Sequence, residues 1–295
     1  MNSSDAISLP GPAAAPRRKF QIDTQYLAPL LVTAILLTAQ LSAHVLVEFQ
    51  KTALAILTSI TLELILGKLF NGKWPRWASA YISGISVGIL VRSAALWPYV
   101  FCSAVSITSK YVIRINGRHI WNPSNLGIVA LLVLAPQYAS TLDNQFGNAL
   151  LPVLVIWVIG SFIISRLRLF HICFTYASCF IGFAFLRSVL LHDSFAAEVA
   201  PITGPMYQLF TFFMITDPKT IVASKKGQIF VTFLIAFLEN LFRMYGSIAM
   251  PAGGSLAEIV ASHAPFFALT IIGPMAIIVE AYKIKRSDRI SVPAQ

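Results

Sequence analysis

The sequence predicts an all-α, polytopic membrane protein with about ten transmembrane helices. Three observations lead there. Of 295 residues, 57% are hydrophobic and only 12% charged, with a mean hydropathy of +0.74. A globule of this length needs more polar surface than that to stay in water, so lipid must cover the rest. Apolar runs of spanning length recur between residues 26 and 281. Lysines and arginines also gather in alternate connections, as the positive-inside rule requires of a multi-pass chain.

In chain order, residues 1–24 are Ala/Pro-rich and carry Arg17, Arg18 and Lys19. The next apolar run exceeds the roughly 7–15 residues of a signal peptide's core and lacks a cleavage site. It reads as the first membrane helix, behind a flexible cytoplasmic tail. The ten candidate spans are 26–47, 52–67, 77–91, 97–113, 123–136, 149–165, 170–191, 205–216, 228–248 and 257–281. The transmembrane body is expected over 25–283, with a second cytoplasmic tail at 284–295. The fifth and eighth spans are short for a full crossing. Short, Pro/Gly-interrupted spans are expected to line cavities rather than face lipid.

With the N-terminus inside and the spans alternating, seventeen of the 22 Lys/Arg fall in cytoplasmic connections. Only Lys51 and Arg92 lie outside, while Lys110, Arg187 and Arg243 lie within spans. The outer connections 137–148 and 192–204 hold Asp143, Asp193 and Glu198 but no Lys or Arg. Miscounting by one helix scrambles this alternation. The expected location is a plasma (inner) membrane, with both termini cytoplasmic and the bilayer as principal partner.

The net charge of +10 does not indicate nucleic acid, because the basic residues sit in short clusters without interleaved aromatics. Cys102, Cys173 and Cys179 lie in apolar runs without metal-ligand spacing, so no metal site is expected. No Ser-His-Asp triad, phosphate-binding loop, dinucleotide fingerprint or HExxH is present, and no self-contained catalytic motif emerges.

Two local strings echo one another. Asn122-Pro123-Ser124-Asn125-Leu126-Gly127 comes after the fourth span, and Thr216-Asp217-Pro218-Lys219-Thr220 after the eighth. Asn or Asp before Pro suits a helix start, since the side chain caps an orphan N–H and proline lacks one to orphan. Two such starts on one side of the membrane would point free N–H groups at an anionic or carbonyl-rich ligand; two ordinary helix starts are the plainer reading. Glu63, Glu239 and Asn240 are candidates for ion handling, because a carboxylate inside a span is costly and faces the bundle interior or water. Glu239 can instead pair with Arg243 one turn on. Lys110 and Arg114 are expected to snorkel to the cytoplasmic interface. His44 and His263 read as satisfied core histidines.

At the two strings the sequence resembles the RnfD/NqrB family, flavin-carrying membrane subunits of Rnf complexes and of the sodium-pumping NADH:quinone reductase. The resemblance rests on WNPSNLGIVALLVL, 121–134, and FTFFMITDPKTIVASKKGQ, 210–228, with order and spacing kept over roughly 20–285. It implies a ten-helix fold similar to urea and ammonium channels, built from two inverted halves. It also implies a non-covalent flavin, riboflavin or FMN, held near Asn122, Pro123, Asn125, Gly127, Thr216, Asp217, Pro218 and Thr220. Electron transfer coupled to cation movement, with redox partner subunits, is implied as well. Covalent FMN in the family sits on a threonine of a Ser-Gly-Ala-Thr string after the fifth helix. Here 136–147 reads PQYASTLDNQFG and the string is absent, so no covalent FMN is expected. In this the chain is similar to the standalone RnfD-like proteins encoded beside enediyne biosynthesis genes. A transporter or channel for a small molecule on the same scaffold is the alternative, and a membrane-embedded biosynthetic accessory enzyme a third reading.

Overall fold

A computed structural model describes residues 24–43, 49–138, 140–141, 150–249 and 255–291. Among these the chain is helical almost throughout. The first half holds α1 (Thr24–Ala43), α2 (Phe49–Asn71), α3 (Ala78–Leu90), α4 (Trp97–Val112) and α5 (Pro123–Leu134). The second holds α6 (Leu150–Leu167), α7 (Phe170–Leu191), the short α8 (Phe195–Val199), α9 (Pro205–Leu209), α10 (Lys225–Ala249), α11 (Leu256–Ser262) and α12 (Ala264–Ser291). The described part of each of the ten apolar runs falls mainly on helix. Two are altered: the eighth leaves α9 for a π-helix at Phe210–Met214, and the tenth breaks at His263 between α11 and α12.

Among the described residues four helices are long and apolar enough to cross a membrane: Phe49–Asn71, Phe170–Leu191, Lys225–Ala249 and Ala264–Lys285. Shorter apolar stretches lie at Pro29–Thr38, Ala78–Leu90, Pro123–Leu134 and Val153–Leu167. The outer surface is apolar: Leu41, Phe49, Phe174, Val158 and Tyr282 are all exposed. Serines, asparagines and glycines meanwhile occupy helix–helix seams. That inversion belongs to a protein solvated by lipid, where small residues let backbones approach and hydroxyls bond across seams.

The α2–α5 seams show how. A Cβ on Gly84 would come 2.6 Å from the Ile56 Cα, so α3 lies directly on α2. Ser103 on α4 donates to the Ala55 carbonyl of α2 at 3.1 Å. Gly127 on α5 faces the Cys102 carbonyl and Ser106 hydroxyl of α4. Neighbours recur between halves: α2 packs on α3 and α4, and α4 on α5; α7 packs on the π-helix and α10, and α10 on α12. The halves meet where α1 touches α6 and α5 touches α12.

Two small ladders complete the described structure. β2 (Arg114–Ile115) pairs with β3 (Arg118–His119) across Asn116-Gly117, whose positive φ angles of 49° and 78° suit a tight hairpin. β1 (Val91–Arg92) pairs with β4 (Ser140–Thr141).

Candidate functional site

Asn122 caps α5 as its sequence implies. Its Oδ1 accepts from the Asn125 N–H at 3.1 Å and the Ser124 hydroxyl at 3.0 Å, and Pro123 opens the helix. Its amide also donates to the Met214 carbonyl at 3.4 Å, tying the start of α5 to the end of the π-helix.

Asp217 corrects the second half of the echo. It begins a turn rather than a helix: its Oδ1 accepts from the Lys219 N–H at 3.0 Å, and its carbonyl from the Thr220 N–H at 3.0 Å. The next helix begins only at Lys225, where the Ser224 hydroxyl accepts from the Gly227 N–H at 3.1 Å. The reason is long-range. Arg118 on the hairpin donates to the carbonyls of Lys219 and Ile221, both at 2.9 Å. Those carbonyls are thereby engaged away from any helical partner.

These two segments meet at a cavity of about 870 Å³. The wall is apolar, with Val32 and Ile35 of α1, Ile82, Ile85 and Ile89 of α3, Ile163 and Leu167 of α6, and Phe212 and Phe213 of the π-helix. Polar groups gather elsewhere along the lining: Glu63, Arg76, Ser79, Lys110, His119, Ser124, Asp217 and Lys219. Of the residues singled out in sequence for a cofactor, Asn122, Pro123, Thr216, Asp217 and Pro218 line this space. Asn125, Gly127 and Thr220 do not. Asn125 is buried between α5 and α12, donating to the Phe266 carbonyl at 3.0 Å and the Thr270 hydroxyl at 2.6 Å. Gly127 makes room for α4. Thr220 donates its hydroxyl back to the Asp217 carbonyl at 3.3 Å and faces a different, smaller crevice.

Lys110 does not snorkel. It is buried, with Nζ 3.0 Å from Glu63 Oε2 and 3.2 Å from the Ser79 hydroxyl. The Tyr111 hydroxyl donates to Glu63 Oε1 at 3.0 Å, so the carboxylate is bonded at both oxygens. Arg114 instead closes its own hairpin, donating to the Gly117 carbonyl at 2.6 Å. His119 Nε2 lies 3.9 Å from Asp217 Oδ2. Arg76, Ser79 and His119 escape sequence reasoning as site residues. Arg76 signals only topology there, and neither Ser79 nor His119 sits in a distinctive string.

Glu239 and Asn240 lie apart from this cavity, in a buried network of the second half. Glu239 accepts from Tyr176 at 2.6 Å, Tyr207 at 2.8 Å and Arg243 Nε at 3.1 Å, while Arg243 also bonds the Tyr207 hydroxyl. Arg187 donates to Glu198 at 2.6 Å and to Asn240 at 2.7 Å. Both guanidiniums lie against Phe180. The expected Glu239–Arg243 pair is present, and the network clamps α7, α8, α9 and α10 together. His263 closes α11, its Nδ1 3.0 Å from the Ile259 carbonyl, whereas His44 lies outside the described residues.

The arrangement offers an apolar slot with hydrogen-bonding and cationic groups on part of its lining, the make-up of a site for an amphipathic small molecule. Set beside known proteins, the chain matches no protein-family model and no curated protein sequence.

Proposed function

We propose that the chain is a plasma-membrane protein of RnfD/NqrB-like architecture that binds a flavin without a covalent bond in the cavity between Asn122 and Asp217. Its role is electron transfer coupled to cation movement, in company with redox partner subunits. The supporting observation is that residues from both family-like strings, Asn122 to Ser124 of one and Thr216 to Lys219 of the other, line one cavity of about 870 Å³. The donor set suits the ligand. Ile85, Ile163 and Phe212 contribute apolar lining of the kind fused rings favour, while Asn122, Ser79 and Ser124 offer groups for a heterocycle's hydrogen-bonding edge. A bound flavin supplies the electron chemistry; the protein's residues hold it, orient it and exclude water. Ten crossings in two inverted halves form part of the proposal, supported by the recurring neighbour pattern and by the alternation of basic connections.

The test is the visible absorbance of gently purified protein, with identification of any extracted chromophore. Flavin that travels with the native protein and separates from it on denaturation supports the reading; a fluorescent protein band on a denaturing gel contradicts the non-covalent part. Colourless protein that takes up no added flavin retires it. In that case a small-molecule transporter becomes the better reading, favoured by one observation: the cavity is flanked by the short α3 and by an α9 that breaks into π-helix and turn. Interrupted helices of this kind surround the substrate sites of secondary transporters.

A further inference from the structure

The cavity meets water at one end. Its lining is exposed at Arg76, Pro218 and Lys219, half-buried at Asp217, and buried at Thr216 and Asn122, so exposure falls inward from the turn. At that rim two segments from opposite halves of the chain are stitched together. One is the strap 118–122, which follows the tip of the β2–β3 hairpin; the other is the turn 216–221. Arg118 carries most of the stitching. Its Nε and Nη2 donate to the Lys219 carbonyl at 3.2 and 2.9 Å, and Nη2 also donates to the Ile221 carbonyl at 2.9 Å. His119 and Asp217 line the cavity from the two sides, with Nε2 3.9 Å from Oδ2. Further in, the Asn122 amide reaches the Met214 carbonyl at 3.4 Å.

We propose that this rim is a gate: strap and turn hold the mouth of the cavity shut through Arg118, and protonation of His119 tightens the closure by pairing it with Asp217. The gate concerns access alone and goes beyond the flavin reading, since it acts on whatever molecule the cavity receives. The carbonyls that Arg118 holds belong to a turn, so that turn can swing out without unwinding a helix. A Cβ on Gly117 would meet nothing within 4 Å, so the hairpin tip behind the strap has room to move with it. Histidine changes charge between about pH 5 and 8. The other charged groups around His119 are Arg114 opposite it in the hairpin, Lys219 on the turn, and Arg76, Glu63 and Lys110 along the lining. Glu63 is already held by Lys110, which among the described residues leaves Asp217 as the anion facing the imidazole. A cationic His119 gains an attraction across the rim that a neutral one lacks. Acid therefore closes the gate, and alkali loosens it.

The experiment puts Ser83→Cys, on the α3 side of the cavity, into the full chain with its native cysteines replaced. Its reaction with a small anionic methanethiosulfonate is followed in nanodiscs at about pH 5.5 and 8. Rates are divided by those of the exposed Lys73→Cys, which corrects for the pH dependence of a thiol. Labelling behind a gate tracks the fraction open. Arg118→Gln is expected to raise the ratio about tenfold at both pH values, and Arg118→Lys to raise it less. With Arg118 in place the ratio should be about two- to fivefold lower in acid, and His119→Gln should abolish that difference. A chain keeping only Cys102, buried in the α4–α5 seam, should stay unlabelled in every variant. Unchanged labelling of Ser83→Cys in Arg118→Gln overturns the gate. Labelling of Cys102 that rises in parallel shows general loosening and overturns it too. A pH difference that is absent with His119 in place, or survives His119→Gln, overturns the part assigned to the histidine.

Discussion

At the scale of single residues, the buried charges decide more than the caps do. Glu63 and Lys110 sit 47 positions apart on α2 and α4, with side chains only 10% and 8% exposed. Removing one partner strands the other in a weakly polarisable interior. Glu63→Ala or Lys110→Ala is therefore expected to cost about 3–5 kcal/mol. The double change to Leu and Met should recover most of that loss, and thermal unfolding of the four proteins in detergent checks it. Equal losses in single and double variants would mean that the pair is not an energetic unit. The two Asx-Pro strings, alike in sequence, should also separate. Asn122→Ala removes a helix cap and a link to the π-helix, at about 0.5–2 kcal/mol. Asp217→Ala opens only a turn that Arg118 still pins, so a smaller drop in unfolding temperature is expected. The cap at Asn122 was legible because capping is a local affair of four residues. The turn at Asp217 was not, because what stops a helix there is an arginine 99 positions earlier.

At the scale of elements, close helix approach explains residues whose chemistry had suggested a ligand. Gly127 stands in a string that points to a cofactor, yet a Cβ there would lie 2.3 Å from the Ser106 hydroxyl and 2.5 Å from the Cys102 carbonyl. Gly127→Ala should force α5 off α4, costing about 1–3 kcal/mol. Gly182 on α7 has nothing within 4 Å of such an atom, so Gly182→Ala should be neutral or slightly stabilising. Comparing the two melting temperatures tests whether packing, rather than composition, sets the cost; a similar effect at both sites would refute it. Helix positions were readable from apolar runs, since a membrane demands long continuous ones. Which face of each helix meets a neighbour was not readable, because lipid-facing and buried surfaces are both apolar. Small residues mark the seams only once their partners are known.

For the whole molecule, the distribution of basic residues yields an orientation that labelling can test. In a chain whose cysteines at 102, 173 and 179 are replaced, single cysteines at Lys73 and Lys225 should react only from the cytoplasmic side. One at Ala196 should react from outside. All three positions are exposed, so failure to label cannot be put down to burial. Reaction at 225 from outside would sink the ten-crossing arrangement. Asp143, the other outer marker in the sequence, lies outside the described residues. Long-range partnership is what the sequence concealed at this scale too. Glu239 declared its neighbour Arg243 by spacing, but Tyr176 and Tyr207 reach it from other helices, and Arg187 of α7 reaches Asn240 beside it.

The π-helix at Phe210–Met214 makes chain length itself a variable at this site. Its closing bond runs from the Ile215 N–H to the Phe210 carbonyl, five residues back and one more than an α-helix uses. The stretch thus carries a surplus residue. Losing one residue there would let the turn close to α geometry with the flanking chain nearly in register, because the wide turn spends one more residue on the same circuit. A residue added there has no such slack to fill, and would rotate the downstream chain by about 100°, swinging Thr216 and Asp217 away from the cavity and Met214 from Asn122. Tolerance should accordingly be lopsided and local: a single-residue insertion harmless at the exposed His192–Ser194 connection and disabling at Phe210–Met214, where a single-residue deletion is the milder change.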